Sequence, residues 1–108
     1  MRAGDLTKRA TLLEPVEALD ADAKVVQSHQ IRGTVWCHVR WLRGGETVMQ
    51  ARLTAKSPAI VTVRAFDLTR QIDSDWQLRI DGRDYELRED PRESEDRAFL
   101  EMLIGRVG

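Results

Sequence analysis

The sequence predicts a mostly β domain, either a compact, partly closed barrel or a sandwich. Three observations carry that prediction: alternating apolar and polar runs recur at short intervals, turn residues separate them, and Asp81-Gly82 joins two of them as a tight hairpin. With 108 residues and no internal repeat, the chain is the size of one domain, residues 1–108, with a single core. About five or six antiparallel strands, one short helix and one long loop account for its length.

Lys8 to Leu13 reads as a first strand, halted by Pro15. Residues 15–33 are rich in Asp, Ala, Gln and Glu and hold no aromatic, so they read as a long mobile loop with at most a piece of strand near Val25 and Val26. From Thr34 to Leu42 the period is two: Val35, Cys37, Val39 and Trp41 share one face, and Trp36, His38, Arg40 and Leu42 share the other. A tryptophan on the second face implies that something covers part of it. Gly44-Gly45 ends this strand, and Glu46 to Leu53 loses the alternation and takes helical spacings, which predicts the short helix.

Pro58 cannot donate to a ladder and starts the strand Ala59 to Phe66. Trp76, Leu78 and Ile80 then alternate with polar residues up to Asp81-Gly82, and Tyr85 and Leu87 continue beyond it. A two-residue turn sets Ile80 against Arg83, Leu78 against Tyr85 and Trp76 against Leu87, so all the large apolar groups fall on one face. In the last strand, Ala98 to Val107, Leu100, Met102 and Ile104 share one face while Phe99 and Leu103 lie on the other, so both faces are expected to be buried.

Composition excludes several classes. There are 17 Lys+Arg and 18 Asp+Glu, a formal net charge of −1, so DNA binding by an overall basic excess is ruled out and only a local patch could serve. The longest apolar runs are too short for a membrane helix, which takes about 20 residues. The basic start has no apolar stretch behind it, so no secretory signal is expected. The single Cys37 forms no internal disulfide and fits a reducing compartment. His29, His38 and Cys37 have no ligand spacing, and adjacent strand residues face opposite ways, so no metal and no cofactor is expected. Cys37 lies on the apolar face and reads as an inert thiol. No nucleophile elbow, phosphate loop or zinc-protease motif is present, and the C-terminal carboxylates interleave with arginines as a solvated, salt-bridged face. An enzyme is therefore not expected. The chain carries 14 Arg and 3 Lys, a bias that suits contacts between proteins.

Four stretches in order resemble a known family. These are the opening Gly4-Asp5-Leu6-Thr7-Lys8-Arg9, the strand and turn Val35-Trp36-Cys37-His38-Val39-Arg40-Trp41-Leu42-Arg43-Gly44-Gly45-Glu46, the arginine-containing strand and hairpin from Val63 to Leu87, and the closing Phe99-Leu100-Glu101-Met102-Leu103. Together they resemble the bacteriophage head-tail joining, or head-completion (stopper), proteins, which include prophage and gene transfer agent members. Cys37 departs from that pattern, where alanine is usual, and Trp41 and Leu42 are bulkier than expected.

The resemblance implies a small β-barrel of the virion, assembled in the bacterial cytoplasm. It would form a homo-oligomeric ring, a hexamer or dodecamer, at the head-tail interface between the portal-side adaptor protein and the tail-completion or tail tube protein. Such a ring extends the channel for packaged double-stranded DNA and retains the DNA. The two-sided apolar strands nominate Trp36, Arg40, Leu42, Arg43, Phe99 and Leu103 for contacts between subunits. Glu17, Asp20, Asp22 and Lys24 are nominated as a channel loop whose acids repel phosphate. The rival expectation is a monomeric β-barrel module that binds single-stranded nucleic acid or a peptide around Trp36, Arg40 and Arg43.

Overall fold

The computed structural model describes residues 3–42 and 58–107. The helix expected over Glu46 to Leu53, and Arg43, lie outside the described residues.

The described residues form seven strands: β1 (Lys8–Leu19), β2 (Val25–Trp41), β3 (Ala59–Arg64), β4 (Gln77–Ile80), β5 (Arg83–Leu87), β6 (Arg92–Glu93) and β7 (Phe99–Arg106). Every pairing is antiparallel, in the order β3-β2-β1-β4-β5-β7-β6, and β7 also pairs with β3. Six strands thus close a circuit while the two-residue β6 lies beside β7, a partly closed ring as the alternation predicts. β7 is the seam. One of its edges pairs with β3 from Phe99 to Ile104, while the other pairs with β5 at Ile104–Arg106 and with β6 at Leu100 and Glu101.

The hairpin β4–β5 forms in the expected register, with Ile80 opposite Arg83 and Leu78 opposite Tyr85. Asp81 and Gly82 have φ of 52° and 79°, the left-handed pair that a type I′ turn requires. Trp76, Leu78, Ile80, Tyr85 and Leu87 all enter the core, where they meet Leu12, Val61, Val63, Met102 and Ile104. The second face of β7 is also covered. Phe99 is buried, and Leu103 packs with Leu42 and Ile60 in a separate small cluster outside the ring.

The segment 15–33 is corrected: it is not a loop but the outer part of a long β1–β2 hairpin. Pairing runs unbroken from Leu13↔Ile31 to Leu19↔Val25. The tip is closed by Asp20, whose Oδ1 accepts the N–H groups of Asp22 and Lys24, each at 2.9 Å, while Ala23 takes φ 61°. From Glu17 outward the side chains on both faces stand in solvent, so no alternation was imposed on this stretch. The arm leaves the ring at a bulge between Leu12 and Leu13. Opposite that bulge stands Gly33, at φ 159°, where an added Cβ would lie 3.0 Å from Leu68 Cδ2 and a larger residue would make that leucine side chain give way.

The base of the arm is pinned. Glu14 pairs with Arg32 and accepts from Gln30, Arg32 also donates to Gln71 Oε1 at 3.2 Å, and its guanidinium lies 5.9 Å from the centre of the Trp76 ring. His29 Nε2 is 3.3 Å from the carbonyl oxygen of Asp75. The molecule is therefore elongated, 47 Å along its longest axis and 23 Å along its shortest.

Candidate functional site

Two surface features stand apart from the core. The first is an open apolar groove of about 720 Å³, lined by Leu6, Thr7, Thr34, Val35, Trp36, Arg64 and Phe66. Trp36 is 53% exposed and Phe66 43%, a concentration of aromatic surface that water alone does not favour. The period-two pattern of β2 turns Trp36 away from buried Val35 and Cys37. The turn after β3 presents Phe66: the buried Thr69 hydroxyl donates to the Arg64 carbonyl at 2.6 Å and accepts the Phe66 N–H at 2.9 Å. Basic groups flank the groove. Arg64 lines it, and the Arg9 guanidinium lies 5.0 Å over the centre of the Trp36 ring.

The second feature is the end of the arm. Leu19 (70% exposed), Val25 (63%) and Ile31 (63%) lie on one face of the ribbon, since Leu19 pairs with Val25 and Ile31 is six residues further along β2. Glu17, Asp20 and Asp22 make the tip acidic, with Lys24 the one cation of the turn. An isolated two-stranded ribbon is at best marginally stable in water, and this one ends in leucine and valine that stand in solvent.

The nominated residues separate under this geometry. Trp36 and Arg40 are exposed on β2. Leu42, Phe99 and Leu103 are corrected: each is at least nine-tenths buried within its own chain, so they serve packing and offer a neighbour little surface. Glu17, Asp20, Asp22 and Lys24 are all exposed, but on a strand end and turn and not on a loop. Phe66, Arg64, Leu19 and Ile31 were missed. Phe66 stands at the end of a strand whose pattern concerned its interior, and its meeting with Trp36, thirty residues earlier, is a product of β2–β3 pairing.

The reactive groups are accounted for structurally. Cys37 is buried, and burial pushes its thiol up to about 11. Among the described residues no three His, Cys, Asp or Glu side chains converge as a metal cluster. Carboxylates pair with cations on the surface: Asp84 with Arg79 at 2.8 Å, Asp81 with Lys8 at 2.9 Å, Glu86 with Arg88 at 2.7 Å. The Ser94 hydroxyl and the Ala98 N–H hold the Asp96 carboxyl below the usual range, closing the turn between β6 and β7. Arrangements of this kind hold turns and strands together.

A family model described as phage head completion protein matches residues 1–107. Among solved structures, the chain is similar to protein SF1141 from Shigella flexneri 2a, with a TM-score of 0.77, 18% identity, and coverage of 98% of this chain and 96% of that one. It is also similar to a chain from the virion of a native gene transfer agent particle, with a TM-score of 0.65, 20% identity, and coverage of 94% and 96%. At these identities the two likenesses concern the fold. No curated protein matches the sequence.

Proposed function

The chain belongs to the phage head completion protein family, a structural protein of the virion at the head-tail region, and from that premise we propose that it works as an assembled ring. The ring sits between the portal-side adaptor and the tail-completion or tail tube protein, continues the channel for double-stranded DNA, and keeps packaged DNA in the head. The observation that carries this reading is the pair of exposed apolar features, the Trp36–Phe66 groove and the arm's Leu19–Val25 pair, which a monomer has no use for. They are different surfaces on one chain, as contacts around a ring require. A formal net charge of −1 suits a wall past which DNA must slide without being held.

The rival, a free domain that stacks single-stranded nucleic acid on Trp36, has the aromatic and basic groups it needs, yet Arg9 already occupies one face of the ring. Imaging of particles made without this protein tests the proposal. Filled heads that leak DNA and lack tails are expected; tailed particles that keep their DNA would overturn it.

A further inference from the structure

We propose that the end of the β1–β2 arm of one copy seats in the Trp36–Phe66 groove of the next copy. This deepens the ring reading and rests on it, since it names the contact that closes the ring.

The two surfaces are complementary in kind. The groove offers Trp36, Phe66 and Leu6, and the arm ends in the exposed Leu19–Val25 pair, so each has apolar area that the other would remove from water. Charge matches too. The tip carries Glu17, Asp20 and Asp22, and the groove is flanked by Arg9 and Arg64, so docking brings acids to guanidinium groups. The Asp20 carboxylate is already fixed by two backbone N–H groups, so the tip arrives with its shape set.

A single chain cannot satisfy itself. Trp36 and the tip belong to the same strand, and the eleven residues from Val25 to Trp36 span roughly 36 Å at the rise of a strand. The groove and the tip are held apart by the ribbon that connects them, so the occupant has to come from elsewhere, and a second copy supplies the matching surface. A contact between two different patches repeats head to tail and closes into a ring where the rotation permits. In this arrangement the acids at the tip face arginines of a neighbour and not the DNA channel for which Glu17, Asp20, Asp22 and Lys24 were nominated.

The test uses assembled particles and a short bis-maleimide. Thr7 lines the groove and Ala18 adjoins the tip pair, and both are exposed, so Thr7→Cys and Ala18→Cys leave the core intact. The native Cys37 is buried and silent to the reagent. The double variant should give a ladder of cross-linked multimers of this chain, and neither single variant should. Arg64→Glu should abolish the ladder, and Arg64→Glu combined with Asp22→Arg should restore it. Particles that show a ring of this protein but yield no ladder, or in which the Ala18→Cys thiol is joined to a different protein, would overturn the docking and leave the ring standing. Particles that show no ring at this position would overturn the ring reading itself.

Discussion

Replacing Gly82 isolates one physical effect in the β4–β5 turn. Its φ is 79°, and a Cβ built there meets nothing within 4 Å, so the main cost of a substitution is what a left-handed backbone costs an L-residue. That cost is about 1–2 kcal/mol, with valine at the upper end because its branched Cβ crowds the backbone. For a domain of this size each 1 kcal/mol shifts Tm by about 4–8 °C, so Gly82→Val should lower Tm by roughly 5–15 °C. Gly82→Asn should stay within a few degrees of the native protein, because asparagine tolerates this conformation. Thermal unfolding followed by far-ultraviolet circular dichroism reads both variants. If valine and asparagine melt together with the native protein, the turn does not depend on φ > 0. The turn would then not be what holds Leu78 opposite Tyr85.

Leu78 is fully buried at the centre of the ring, so Leu78→Ala should destabilise the fold by about 2–5 kcal/mol in urea titrations; a smaller change would mean the core collapses around the gap. Burial raises the Cys37 thiol from 9.0 to about 11, so its neutral form contributes stability that is present below pH 9 and is lost as pH rises toward 11. Denaturation across that window should show the native protein losing more stability than Cys37→Ala, and equal slopes would contradict it. Amide exchange in the free protein should be fast from Glu17 to Gln27, where both faces are in solvent, and slow in β3, β4 and β7; protection along the arm equal to that of β7 would show that the free arm is already packed.

The ring of strands was legible because burial on one face forces alternation. Val35 and Cys37, Leu78 and Ile80, Leu100 and Met102 each alternate with residues that face away, and Asp81-Gly82 fixed a register that the pattern then had to satisfy. The arm was not legible for the same reason in reverse: with both faces wet, Glu17 to Gln27 carries no period, and Pro15 reads as a break although it pairs opposite His29. The candidate interface was half legible. Trp36 announced itself as a large apolar group on the polar face of β2, but Leu42 and Leu103 gave the same signal for a different cause, since they pack on each other and Ile60 outside the ring. Nothing local distinguishes an apolar residue that meets its own chain from one that awaits another. Phe66 and Arg64 reach Trp36 only through β2–β3 pairing, a non-local event that no window of sequence contains.

Whether the protein acts as a ring of identical copies in the particle is read from a reconstruction of the head-tail junction of intact, DNA-filled particles. A closed ring of this fold around the DNA axis is expected, with the β1–β2 arm of each copy reaching the Trp36–Phe66 groove of its neighbour. A junction that holds a single copy, or this fold bound away from the DNA axis, would contradict it.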